Sequence, residues 1–180
     1  MPERSRTILR WPLFSWPGRH RRPHGEACLS AIFIAPAAGA PMVALTAVEA
    51  ITGLGLQGDR YALKRGYWKV TEACQVTLIS EHDLQHAVRR LGRNGPADGI
   101  SGGSHRRNLV VSGLTTAALQ GRDFRIGEAL FRYRRPRPPC GYLDQVAYPG
   151  LAKALGRNSG VCIEVIEGGQ IRVGDQLRVE

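Results

Sequence analysis

Three stretches of the sequence bring together side chains that can do chemistry. The first reads Arg132-Tyr133-Arg134-Arg135-Pro136-Arg137-Pro138-Pro139-Cys140-Gly141. Its prolines fix the backbone and lower the entropy lost in holding the thiol still. Arg135 and Arg137 are near Cys140 in sequence, and cations favour the thiolate, which attacks electrophiles and binds soft metals. Gly141 leaves room beside the sulfur for a ligand. The alternative role for Cys140 is a small buried hydrophobe. The second stretch is Ser104-His105-Arg106-Arg107-Asn108, running into an apolar segment. Two adjacent Arg can clamp a phosphate or a polar heterocycle, and Asn108 offers both a donor and an acceptor. A solvated run of charge is the alternative. The third is Gly55-Leu56-Gln57-Gly58-Asp59-Arg60-Tyr61. Its glycines permit a close backbone approach, or they form a structural turn carrying an Asp59–Arg60 surface pair.

Other candidates carry less. Cys28, Cys74 and Cys162 lie in apolar or strand-like stretches and read as packing residues. His82 and His86 are four apart on an expected helix, but no third ligand is near them in sequence, so they read as a solvated face. Ser112 has no evident base. No HExxH, Walker A, GxSxG or dinucleotide fingerprint occurs.

The elements that must position these groups follow from apolar periodicity and turn residues. Strands are expected over residues 29–34, 42–51, 75–79, 108–111, 161–166 and 171–179, with a hairpin over 123–134 turning at Gly127-Glu128. Ser80 followed by Asp83 marks a helix start, and Leu84, Val88 and Leu91 give that helix one apolar stripe ending near Gly92. A loop spans residues 93–105, one or two helical turns cover 115–119, and a short helix covers 148–155. Short strands with glycine turns and a few short helices predict a mainly β, barrel-type fold.

Length and charge bound the whole. At 180 residues and 43% hydrophobic content the chain can close one core, and its four Cys do not make a disulfide scaffold. The net charge is +10, with 22 Arg and three Lys, which points to an anionic partner. Residues 1–26 hold six Arg and four Pro without apolar period and read as a basic, disordered extension ahead of a domain over residues 27–180. The uncharged stretch from Ala27 to Val48 has the outline of a secretory signal. Pro36, Gly39 and Pro41 break it too early for a membrane span, and two strands are the preferred reading. Cys residues without paired spacing fit a reducing cytoplasm.

These stretches recur in a fixed order with other phrases. They are Gly53-x-Gly55-Leu56-x-Gly58-Asp59-Arg60-Tyr61, Val76-Thr77-Leu78-Ile79, Arg106-Arg107-Asn108-Leu109-Val110-Val111-x-Gly113-Leu114, Leu119-x-Gly121, Phe124-x-Ile126-Gly127, Pro136-x-Pro138-x-Cys140, and Gly160-Val161-Cys162 through Gly168-Gly169-x-Ile171-x-Val173-Gly174-Asp175. Together they resemble the MOSC domain, named for the C-terminal part of molybdenum cofactor sulfurases, in a stand-alone bacterial-type form. The resemblance covers residues 29–180. It implies a β-barrel-like fold and binding of molybdenum cofactor, a molybdopterin with a terminal phosphate. Cys140 matches the signature cysteine, which carries sulfur as a persulfide or ligates molybdenum. Arg106, Arg107 and Asn108 match the polar junction facing the pterin and phosphate. Arg60 and Arg137 are added to the anion site on grounds of charge.

The resemblance implies either molybdenum-dependent redox chemistry, such as reduction of N-hydroxylated compounds, or carriage of sulfur for a metal-sulfur cofactor. The first needs a separate electron-donor protein and the second a sulfur donor. Pyridoxal phosphate is not expected within this chain, because sulfurases carry it on an additional domain. A membrane is not an expected partner. The other function class is a basic β-barrel module binding nucleic acid, which the Arg excess permits but the scarcity of aromatic stacking groups opposes.

Overall fold

The computed structural model describes residues 26–66, 74–92, 100 and 102–180. The extension expected over residues 1–26 lies outside these apart from Glu26, and the loop expected over 93–105 lies outside them in part. The uncharged stretch folds as strands. In β1 (Cys28–Ile34), Leu29 and Ile32 are fully buried in the core. The single strand expected over residues 42–51 is two. β2 (Val43–Leu45) pairs with β1, whereas β3 (Ala47–Ile51) joins a second sheet with β4 (Gly55–Leu56). The chain changes sheets at Thr46, whose carbonyl accepts the Val173 N–H at 2.9 Å.

β5 (Val76–Ser80), helix α1 (Glu81–Leu91) and β6 (Leu109–Ser112) make a crossover, and β5 and β6 are the one parallel pair among the described strands. All five residues of β5 are buried, as in a strand covered on both faces. Ser80 caps α1 as its spacing predicts. Its Oγ accepts the Asp83 N–H at 3.1 Å and donates to Asp83 Oδ2 at 2.7 Å. The expected stripe needs correction: Leu84 and Ala87 are buried, while Val88 is 40% exposed.

A 3₁₀ turn over Thr116–Leu119 leads to the expected hairpin, β7 (Asp123–Ile126) and β8 (Ala129–Pro136). A helix that the sequence did not announce, α2 (Gly141–Val146), follows Cys140, and α3 (Leu151–Leu155) is shorter than expected. β9 (Val161–Glu167) precedes β10 (Gly169–Arg172) and β11 (Leu177–Val179), which divide the strand expected over residues 171–179.

The fold is mainly β. Eight strands form one sheet in the order β11-β7-β8-β9-β5-β6-β1-β2, and β10-β3-β4 form the second. The large sheet curls without closing into a continuous ladder. The start of β1, beyond its pairing with β2, meets the approach to β11 through backbone bonds instead: Leu29 N–H to Asp175 O, Gly174 N–H to Leu29 O and Leu177 N–H to Ala27 O, each 2.8 Å. The interior is filled by one apolar cluster that includes Phe124, Phe131, Leu29 and Ile163. A second cluster, with Phe33, Ile79, Leu84, Leu143 and Leu155, joins the outer face of the sheet to the helices. No helix among the described residues is long and apolar enough to cross a membrane.

Candidate functional site

The three stretches converge on one cavity open to solvent. Arg60 comes from the turn after β4, Arg106 and Arg107 from the approach to β6, and Arg137 and Cys140 from the proline-rich segment between β8 and α2. Tyr61 and Tyr142 line the same cavity. Five of the six expected site residues are therefore together.

Asn108 is the exception. It is fully buried behind the cavity and its amide is engaged by protein alone. Oδ1 accepts from Thr77 N (3.1 Å) and Thr77 Oγ1 (2.7 Å), and Nδ2 donates to Phe33 O (3.0 Å) and Asp59 Oδ2 (2.9 Å). It supports the site without facing it.

Asp59 and Arg60 are not a surface pair. Asp59 is fully buried and Arg60 is 4% exposed. Asp59 Oδ2 accepts from Arg60 Nη1 (3.0 Å) and Ala35 N (3.1 Å), and Oδ1 accepts from Tyr61 N (3.0 Å). With Asn108 as the fourth donor the carboxylate is saturated, as a buried charge requires. Arg60 then spans Arg106 O (3.2 Å) and the face of Tyr61, 4.5 Å from the ring centroid.

Arg107 is buried without a carboxylate. Nε donates to Ser159 O (2.7 Å), Nη2 to Ser159 Oγ (2.6 Å) and Nη1 to His105 O (3.1 Å). Burial and, less, the charge of Arg137 pull its pKa down to about 10. Its N–H donates to His105 Nδ1 at 3.0 Å, so the imidazole proton sits on Nε2, which has no hydrogen-bond partner. Burial, and then Arg107, hold the His105 pKa down at about 3.

Arg106 takes a left-handed backbone, φ +61°, and its Nη1 donates to Ala40 O. Positive φ in a non-glycine residue costs free energy and clusters at functional sites. Burial and the charge of Arg60 lower its pKa. Arg137 donates from its backbone to Gly160 O (2.8 Å) and from Nη2 to Tyr61 Oη (3.4 Å).

Among the described residues, Arg106, Arg107 and Arg137 have no carboxylate within ion-pair distance. The cavity thus presents three guanidinium groups that no acid among the described residues pairs, beside the half-buried thiol of Cys140. That arrangement suits a small anion carrying a soft-metal or electrophilic centre. Asp59 and Tyr61 belonged to the third stretch but were given no role of their own in the site. Sequence reasoning missed Tyr142, which follows Gly141, and Ser159, which carried no signal. No group of three metal-binding side chains occurs among the described residues, and His82 and His86 make no metal cluster.

The sequence profile of the MOSC domain matches residues 61–178. Strands β1 to β4 precede that match, yet β1 is hydrogen-bonded to β6 within the same sheet. Among solved structures, the YuaD protein from Bacillus subtilis is similar, with a TM-score of 0.69 and 19% identity over 85% of this chain and 94% of that one. YiiM from Geobacillus stearothermophilus is similar at a TM-score of 0.59 and 20% identity, over 86% of this chain and 75% of that one. YiiM from Escherichia coli gives a TM-score of 0.57 and 20% identity, over 83% and 69% respectively. No curated protein matches the sequence.

Proposed function

This chain belongs to the MOSC domain family, and we propose that it binds molybdenum cofactor in the arginine-lined cavity. The observation that carries this reading is the meeting of four guanidinium groups and one thiol around a space whose described lining includes no carboxylate; Asp59, bonded to Arg60, lies outside that lining. The residues fit the cofactor. A terminal phosphate needs several cationic donors, and Arg106, Arg107 and Arg137 have no acidic partner among the described residues. A molybdenum centre needs a soft ligand, and Cys140 supplies sulfur at the edge of the cavity. Space is present too, since a methyl group built on Gly141 meets nothing within 4 Å.

When bound, the cofactor supplies two-electron oxygen-atom chemistry, and we assign the protein to reduction of N-hydroxylated compounds with a separate electron-donor protein. The chain's own work is binding and orientation. Asp59 and Asn108 hold Arg60, Ser159 and His105 hold Arg107, and Tyr61 steadies Arg137. The prolines before Cys140 keep its sulfur in register with these groups. Free thiols among the described cysteines fit a reducing cytoplasm.

The test is the molybdenum and pterin content of protein purified from a cofactor-making host. Wild type is expected to carry both in near-equal amount, Cys140→Ala to keep pterin and lose metal, and Arg106→Ala to lose both. Wild type with neither would overturn cofactor binding, and a persulfide on Cys140 without metal would reassign the site to sulfur carriage.

A further inference from the structure

Tyr61 stands among the arginines of the cavity with its hydroxyl proton uncommitted. Local chemistry fixes its place. Its N–H donates to Asp59 Oδ1 at 3.0 Å, on the same buried carboxylate that pairs with Arg60. The turn then folds back on itself, through Leu63 N–H to Asp59 O (2.9 Å), Lys64 N–H to Tyr61 O (3.1 Å) and Arg65 N–H to Arg60 O (2.7 Å). This brings buried Gly66 against the ring, since a Cβ there would lie 3.3 Å from Tyr61 Cδ1 and 3.4 Å from Cε1. The Arg60 guanidinium covers the ring, 4.5 Å from its centroid. A side chain held at its backbone, one edge and one face has little rotamer entropy left to lose on binding.

The hydroxyl offers one donor and two acceptor sites. Arg137 Nη2 fills one acceptor site at 3.4 Å. A proton does not point at the group that donates to its oxygen, so the O–H is turned away from Arg137. Among the described residues nothing accepts it, and half-buried Tyr61 lines the cavity together with Arg106, Arg107 and Arg137. The phenol is within electrostatic reach of all three guanidinium groups. None of them can take its proton, because a guanidinium has donors only. The acceptor that suits this surrounding is an anionic oxygen. Arg60 does not compete for it, since its charge is turned to Asp59 and its other bonds reach Met42 Sδ (3.5 Å) and Arg106 O.

We propose that the Tyr61 hydroxyl donates a hydrogen bond directly to a phosphate-class oxyanion held by Arg106 and Arg137. This rests on the reading of the cavity as an anion site and adds a neutral donor to its cations. Arg137 and Tyr61 then work in series: by donating to the phenol oxygen, Arg137 polarises the O–H and strengthens the bond it gives. The donors differ in kind. The arginines supply charge, which salt screens, and Tyr61 supplies a short-range bond, which salt leaves alone.

The experiment titrates inorganic phosphate into the full chain, purified from a host that makes no cofactor, by calorimetry. Wild type should bind phosphate, and Tyr61→Phe should bind it roughly ten-fold more weakly, the worth of a hydrogen bond to a charged acceptor. Phenylalanine keeps the ring under Arg60 and against Gly66, so the thermal midpoint should stay at the wild-type value. Salt separates direct contact from positioning. The loss in Tyr61→Phe should be the same at about 0.05 and 0.3 M sodium chloride, whereas the loss in Arg137→Gln should shrink as salt rises. Equal affinity of wild type and Tyr61→Phe overturns the proposal, and so does a wild type that binds no phosphate. A Tyr61→Phe loss that shrinks with salt as in Arg137→Gln overturns it too, because Tyr61 would then act only by steadying Arg137. The expected signature in a chain that never acquires pterin from a cofactor-making host would uphold this donor while removing the cofactor reading, so the two are judged apart.

Discussion

His105 and Arg107 hold each other in place, and the imidazole thereby limits the acidity that the fold withstands. Folded His105 stays neutral down to about pH 3 because it is fully buried beside a guanidinium. In the unfolded chain it protonates near pH 6.5. The unfolded state therefore binds one proton more between these values, and stability falls as pH drops through that window. Above it the histidine is neutral in both states and has no effect. His105→Asn retains an acceptor for the Arg107 N–H and has no proton to take up. In urea unfolding between pH 6 and 4, wild type should lose stability relative to His105→Asn by about 1.4 kcal/mol per pH unit. Parallel curves for the two proteins would contradict this. At this scale the sequence showed which side chains were chemical but not which way they faced. Arg60, Arg106, Arg107, Arg137 and Cys140 meet in the cavity, whereas Asn108, equally polar, turns inward to Thr77 and Asp59. That choice depends on partners 31 and 49 residues away along the chain, which no local pattern encodes.

Elements bounded by local chemistry were legible, and those set by tertiary pairing were not. The cap of α1 and the β7–β8 hairpin follow from residues a few positions apart. The division of residues 42–51 does not, because neither glycine nor proline marks Thr46, and it is Val173 that takes the strand away. Helix α2 begins at a glycine after a cysteine that makes no side-chain cap, so it lacks the usual start signal. The entry to β9 matters most for the site. Gly160 has φ +91°, and a Cβ there would lie 2.4 Å from Leu78 O. Its carbonyl receives the Arg137 N–H. Gly160→Ala should therefore force β9 from β5 and move Arg137. Positive φ alone costs an alanine roughly 1–2 kcal/mol, and the clash adds to that. A denaturation midpoint equal to wild type would show that the strand entry adapts.

The whole molecule carries a net charge of +10, which repels itself. Its surface ion pairs, such as Arg132–Asp123 at 2.8 Å with the two side chains 50% and 31% exposed, offset little of this. Screening should then favour the folded state, so the thermal midpoint should rise from low salt to about 0.2 M sodium chloride, where the Debye length falls below roughly 8 Å. A fall would mean that the surface pairs outweigh the repulsion. One feature of the architecture bears on how the protein is made. Residues 27–29 are joined by hydrogen bonds to residues 174–177, the first described strand to the approach of the last. During vectorial synthesis β1 emerges early but lacks these partners until residue 177 has cleared the ribosome. Until then this seam stays open, and the Leu29 edge of β1 lacks the strand approach that later covers it.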